Sequence, residues 1–290
     1  MLHVLENEWI KTEISVHGAE LQSIFHKQIQ LEYLWQGDSS YWPRRAPILF
    51  PIVGKLKENI FNYQDKTYSL PQHGFARDKK FEVIHKTTNK IIFRLQSTEE
   101  TLKQYPFHFI LDIGYSISES QVIISYTVQN SEKNKDLIFS IGAHPGFLCP
   151  LKAHEQFNDY YLEFDKEESL ERVLLEGGLR SSAMEAIQIS EKILPLHQDL
   201  FEVKDAIVLK GMKSDRISLK SKNHGNGLHF NFKGYPWFGI WSKPGPFICL
   251  EPWMGVADDV LSNQDFTEKE GIQRLAAGKH VSYSYSIELF

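Results

Sequence analysis

Two stretches of the chain alternate apolar and polar residues with a period of two. Val122, Ile124, Tyr126 and Val128 are interleaved with Ile123, Ser125, Thr127 and Gln129. Val281, Tyr283, Tyr285, Ile287 and Leu289 are interleaved with Ser282, Ser284, Ser286 and Glu288. This period predicts β-strands with one face in a core. Shorter runs of the same kind begin at Trp9, Leu21, Lys80, Ile91, Phe107, Ala206, Ile217, Leu228, Trp237 and Phe247. Turn signals separate them: Thr88-Asn89, Ser118-Glu119-Ser120, Gly177-Gly178, Gly225-Asn226-Gly227 and Gly245-Pro246. Helical patterns are scarce, and Thr98 to Lys103 predicts one or two turns ending before Pro106. The charged, poorly periodic run Glu155 to Leu175 reads as strands and excursions, with Asp165 to Glu168 a solvated edge. Many short strands with few helices predict an all-β chain, a large antiparallel β-sandwich. No repeat or low-complexity linker divides it, so residues 1–290 are expected to form a single domain.

Composition narrows the function classes. A hydrophobic content of 42% supports a sizeable core, and 24% charged residues are ordinary for a soluble protein. The net charge of -5 comes without a basic stripe, which argues against a nucleic-acid partner. Two cysteines, Cys149 and Cys249, are too few to staple a chain of this size and read as small apolar packing residues. Neither a signal-peptide pattern at Met1 to Glu8 nor an apolar run of membrane-spanning length is present. The expectation is a soluble, cytoplasmic protein with no membrane partner.

Several residues could carry chemistry. The strand-like run Leu137 to Ile141 is expected to break at Gly142 and deliver His144 into a turn shaped by Pro145 and Gly146. Glu251 ends the apolar run Phe247 to Leu250, where a carboxylate loses hydration unless it is paired. Burial would raise its pKa and suit it to general-base work, although a salt-bridged structural glutamate has the same pattern. Trp237, Trp241 and Trp253, with Tyr235 and Phe238, offer flat apolar faces for the C–H face of a sugar or serve as core. The loop Lys243-Pro244-Gly245-Pro246 reads as a rigid pocket boundary. Arg44 and Arg45 lie between Pro43 and Pro47, and one is expected to enter a cleft. Arg77, just after His73-Gly74-Phe75, is a further candidate for oxygen-rich ligands, or for a structural ion pair.

The set Gly18 to Ile24, Pro47 to Gly54, His73-Gly74-Phe75-Ala76-Arg77, Gly142 to Phe147 and Leu250-Glu251-Pro252-Trp253 resembles the aldose 1-epimerase (mutarotase) family, in the family's order and over nearly the whole chain. The resemblance implies a galactose-mutarotase-like supersandwich that interconverts the α and β anomers of a free sugar without a cofactor or metal. It implies His144 as general acid, Glu251 as general base and His73 as the second active-site histidine. It implies sugar binding by Asp205, beside the arginines and Trp253. The chain departs from the galactose mutarotases proper. Their Asn-Arg pair has its nearest equivalent in Arg44-Arg45, and Pro145-Gly146-Phe147 replaces the Tyr and Asn that follow their second histidine. These departures resemble the divergent subgroup that includes hexose-6-phosphate mutarotases.

Two other readings stay open. Two histidines and a glutamate could form a facial metal triad, although the close spacing of metal motifs on one element is absent. A non-catalytic sugar-binding sandwich would use the same aromatics and arginines without turnover.

Overall fold

The computed structural model describes residues 1–290. The chain is all-β with antiparallel sheets, and its two α-helices, Glu99–Gln104 and Asp199–Glu202, are short. Neither is long and apolar enough to cross a membrane. A nine-stranded sheet runs in the order Ile193–Pro195, Tyr160–Phe164, Arg216–Ser221, Gly227–Asn231, His280–Leu289, Gln121–Asn130, Phe109–Ser118, Lys90–Gln96 and Glu82–Lys86. The two most regular alternating stretches of the sequence are neighbours in it. Val122 pairs with Ile287, Ile124 with Tyr285 and Tyr126 with Tyr283, so their apolar positions face one core.

An eight-stranded sheet contains Leu179–Ala186, Glu171–Glu176, Ile207–Lys210, Trp237–Trp241, Phe247–Met254, Ile141–Ala143 and Ile48–Leu49 in that order, with Gly146–Leu148 paired to Phe247–Met254 beside this path. The two sheets stack, and Phe230 of the first meets Phe147 and Phe238 of the second at ring separations of 6.0 and 5.9 Å. A four-stranded sheet, Leu2–Glu6 to Leu31–Glu32, and two two-stranded sheets complete the chain.

The strand Phe247–Met254 shows no burial alternation, because both of its faces are covered. Ile248 and Leu250 enter the large core between the sheets. Phe247 and Cys249 pack with Trp35, and Trp253 packs with Val208 and Trp237, in smaller clusters on the outer face. Alternation therefore carries Glu251 to that outer face, away from the sandwich interior.

The helix expected at Thr98 to Lys103 is Glu99–Gln104, capped reciprocally by Thr98 and Thr101. The charged run from Glu155 yields Tyr160–Phe164 and Glu171–Glu176. One detail differs from expectation. Gly142 does not break a strand. The chain changes partners at Ser140, so that Leu137–Phe139 pairs with Gln273–Leu275 while Ile141 and Gly142 pair with Met254 and Trp253. Gly142 instead makes room, since a Cβ there would lie 2.7 Å from the Trp253 ring. Asp258, in the loop after Phe247–Met254, is buried in an ion pair with Lys269 at 2.8 Å. Its other oxygen accepts a hydrogen bond from Lys57 N–H, fastening the loop that begins at Val256 and Ala257.

Candidate active site

On the outer face of the eight-stranded sheet the loops leave a cleft of about 340 Å³, a size suited to a small ligand. Its floor is built by register. Glu251 stands opposite Gly239, and Gly239 opposite Val208. A Cβ on Gly239 would lie 2.5 Å from the Trp253 indole, so the missing side chain lets Trp253 lie flat beside the Glu251 carboxylate.

His144 follows the strand Ile141–Ala143, and its N–H donates to Pro47 O at 3.1 Å. The Pro145 carbonyl accepts from Leu250 N–H, which ties the turn to the strand that carries Glu251. His144 Nε2 then lies 3.3 Å from Glu251 Oε2. Two residues far apart in sequence thus meet across one wall of the cleft.

His73 is held by a reciprocal pair of bonds. Its N–H donates to Gly54 O at 2.8 Å, and Gly54 N–H donates to His73 Nδ1 at 3.1 Å. An accepting Nδ1 leaves the neutral ring's proton on Nε2, so His73 is a hydrogen-bond donor toward the cleft. The backbone is left-handed at both His73, with φ 67°, and Gly74, with φ 70°. Strain of this kind persists where surrounding bonds over-determine it. The rings of His73 and His144 meet edge-on at 5.6 Å.

Burial dominates the electrostatics. It pushes the Glu251 carboxyl well above its usual range, and the nearby negative charge of Asp205 adds to the rise. Burial pulls the His144 imidazole down, and Arg77 and Arg44 pull it further. His73 is lowered well below its usual value by burial, then by His144, Arg77 and Arg44. The Arg77 guanidinium is lowered by burial and by Arg44 to about 10, and so stays charged at neutral pH.

The remaining expected residues divide. Arg44, Arg77, Asp205 and Trp253 line the cleft. Arg44 pairs with Asp78 at 2.9 Å, and Asp205 Oδ1 accepts from Trp241 Nε1 at 2.8 Å. Arg77 donates through Nη2 to Gln72 O, while its buried Nε has no hydrogen-bond partner in the protein. The same is true of Glu251 Oε2, His144 Nδ1 and Trp253 Nε1. Arg45 is a correction to the expectation for the arginine pair. Its guanidinium turns outward to Gln22 O and Gln36 Oε1, while Glu20 accepts its backbone N–H. The chain direction at Pro43 to Pro47 decides this: neighbouring side chains point apart, and only Arg44 faces the cleft.

Trp42 lines the cleft as well, and the sequence carried no periodic signal for it because it sits in a loop. Leu175 and Gly178, at the hairpin between Glu171–Glu176 and Leu179–Ala186, form another part of the wall. Gly177-Gly178 was legible as a turn, though not as a cleft wall. Lys243 reaches the rim with its ammonium 5.7 Å from the Trp241 ring.

Side-chain donor atoms of His144, Cys249 and Glu251 lie within 4.8 Å of one another. His73, the second histidine of the facial triad left open by the sequence, is not part of this set.

The fold has counterparts among known proteins. The family model described as aldose 1-epimerase matches residues 1–282. Protein LacX, chromosomal, of Lactococcus lactis subsp. lactis is 33% identical over 299 residues, covering 98% of this chain and 98% of its own. The structure of a galactose mutarotase related enzyme from Lactobacillus acidophilus superposes with a TM-score of 0.95 at 33% identity, covering 100% of this chain and 97% of that one. A galactose mutarotase-like protein from Lactobacillus casei superposes with a TM-score of 0.94 at 33% identity over the full length of both chains. These matches extend over the strands of both stacked sheets and every loop that closes the cleft, and the chain belongs to the aldose 1-epimerase family.

Proposed function

We propose that the protein is a mutarotase that interconverts the α and β anomers of a free hexose by general acid/base catalysis at His144 and Glu251. The observation that carries this reading is the 3.3 Å approach of His144 Nε2 to Glu251 Oε2 in a buried cleft. Burial displaces the two pKa values in opposite directions, which widens the pH range over which the pair holds a single proton. Ring opening needs one acceptor and one donor at the same moment, and a pair with one proton supplies both.

In the forward step Glu251 takes the proton of the anomeric hydroxyl, and His144 gives the shared proton to the ring oxygen. The bond from C1 to the ring oxygen breaks as the C1 carbonyl forms. Glu251 is then protonated and His144 neutral; burial favours this arrangement in the free enzyme too, so each opening step starts with the single proton moved to His144. Rotation about C1–C2 and reversal of both transfers closes the ring on the other face. His73 donates from Nε2 to the oxygen where negative charge develops. Arg44, Asp205 and Trp253 hold hydroxyls and the sugar face.

Two pH limits follow. Activity is lost in acid when the pair takes a second proton, and in alkali when it loses its only one. The acid limb is therefore expected below 6.5, the ordinary histidine value, because His144 is depressed. The alkaline limb is expected above 4.5, the ordinary carboxyl value, because Glu251 is raised. Rates of catalysed anomer exchange across this range, by polarimetry or exchange NMR, check both. An acid limb at or above the ordinary histidine value would contradict the assignment.

A second reading, a hexose 6-phosphate as substrate, is favoured by one observation. Arg77 presents a charged, partly buried group whose Nε has no hydrogen-bond partner and only the Asp78 carboxylate at 3.8 Å, beside Arg44 and with Lys243 at the rim. A doubly charged phosphate would satisfy such donors better than a hydroxyl. Exchange rates for galactose, glucose and glucose 6-phosphate separate the readings. If the phosphate is bound there, Arg77→Ala raises KM for glucose 6-phosphate about tenfold, the scale of one charge-assisted hydrogen bond, and leaves KM for glucose unchanged. Equal effects on both sugars count against the phosphate. Absence of catalysed exchange with every sugar refutes mutarotation itself.

A further inference from the structure

His144 stands at the end of a stack of aromatic rings. The Trp35 ring lies 4.9 Å from Phe247 at 28°, Phe247 lies 5.7 Å from Trp42 at 13°, and Trp42 lies 4.8 Å from the His144 imidazole at 27°. Trp241 closes the side of this column, edge-on to Phe247, Trp42 and His144 at 5.6, 5.6 and 5.5 Å. The column is anchored without reference to a ligand. Trp35 Nε1 donates to Trp42 O at 2.8 Å, and Trp35 N–H donates to Gly146 O at 2.9 Å. Gly146 leaves the space, since a Cβ there would lie 3.0 Å from Trp42 and 3.2 Å from Trp35.

Stacking covers a face of the imidazole and leaves its edge free. Nε2 points to Glu251, and Nδ1 has no protein partner. Rotation of the imidazole about its bond to Cβ would drive its edge into Trp42. An indole face also interacts more favourably with an imidazolium than with a neutral ring.

We propose that Trp42 is a positioning residue for the proton transfer: its indole fixes the plane of the His144 ring and stabilises the imidazolium formed when His144 carries the proton. The kinetic part of this inference rests on the acid/base reading above. The packing part does not. Other groups also act on the imidazole. Glu251 faces it from the strand Phe247–Met254, and His73 from its left-handed turn. Arg77 acts from the turn Ala76–Asp78, and Arg44 from the loop that carries Trp42. Asp205 lies behind Trp241. These groups are the same in any Trp42 variant, so the comparison is between variants at that position.

Trp42→Phe keeps a π face, and Trp42→Leu keeps only apolar cover. In the wild type, the ring protons of His144 are expected upfield in NMR because of the stacked indole; in Trp42→Leu they return toward ordinary values. For exchange of the best sugar, kcat is expected to fall roughly tenfold in Trp42→Leu, and Trp42→Phe to recover much of it, with KM little changed in both. The acid limb of the pH profile moves to lower pH in Trp42→Leu relative to Trp42→Phe. Equal kcat and equal acid limbs in the two variants overturn the proposal, as does a rise in KM alone, which would make Trp42 a sugar platform. If the wild type turns over no sugar, the acid/base reading falls. The NMR shifts still decide whether Trp42 holds His144, and unshifted ring protons in the wild type overturn that.

Discussion

Glu251→Gln is expected to reduce kcat/KM for anomer exchange by roughly 10² to 10⁴, the usual worth of one positioned proton transfer. Glutamine keeps the shape and the buried position but cannot accept the proton of the anomeric hydroxyl. The same change is expected to make the protein more stable at neutral and alkaline pH. In the wild type the folded state holds the Glu251 proton more tightly than the unfolded chain does, because burial raises its pKa. The folded state therefore loses stability as pH rises above 4.5, the unfolded value, and goes on losing it until the raised pKa is passed. Glutamine has no proton to lose. Thermal melts at about pH 4 and about pH 8 are expected to show little difference at the lower pH and a higher Tm for the variant at the higher one. An inactive, less stable variant at alkaline pH would mean that the side chain holds the fold together. Wild-type exchange rates in the variant would remove Glu251 from the mechanism.

Gly74→Ala is the second large effect, expected on both stability and activity. Gly74 has φ +70°, and a Cβ there would lie 2.3 Å from the Phe50 carbonyl oxygen. That carbonyl cannot swing away freely, because it accepts hydrogen bonds from Phe75 N–H and Ala76 N–H at 3.1 Å each. The left-handed conformation alone costs an alanine roughly 1–2 kcal/mol, and displacing a backbone carbonyl with two bonds raises the total to about 2–4 kcal/mol. The relief available is to move the turn, which drags His73 with it. His73 is bonded to Gly54 through both its N–H and its Nδ1, so the donor toward the cleft is misplaced. Denaturant unfolding should show the stability loss. Residual folded enzyme should show a lower kcat with the pH limits of the Glu251–His144 pair unchanged. Wild-type stability and wild-type kcat in the variant would contradict the tight turn.

What the sequence made legible follows from which side chains are exposed on one face. The strands at Val122 to Val128 and Val281 to Leu289 have a wet face and a dry face, and their alternation is visible. Phe247–Met254 has two dry faces, and its pattern gives no sign that Ile248 and Leu250 face the core while Glu251 faces a cleft. Glu251 stood out for another reason: a carboxylate inside an apolar run needs an explanation. His144 and His73 were legible through the glycines and prolines that aim them, although Gly142 serves the Trp253 ring more than it bends the chain. Arg44 and Arg45 are chemically identical and adjacent, so only the path of the loop distinguishes the one in the cleft from the one bonded to Gln22 and Gln36. Trp42 was hidden because a loop aromatic has no period, and its partners Trp35, His144 and Phe247 are scattered along the chain.

The place of His280–Leu289 in the nine-stranded sheet bears on how the protein comes off the ribosome. It lies between Gly227–Asn231 and Gln121–Asn130, fifth of nine, yet it is translated after all eight of its sheet mates. Until it emerges, the sheet exists as two halves with bare hydrogen-bonding edges facing each other, the kind of edge that pairs with a neighbouring chain. The nascent protein is therefore most prone to aggregation before that closing strand emerges, and its yield should depend on how quickly the strand is delivered.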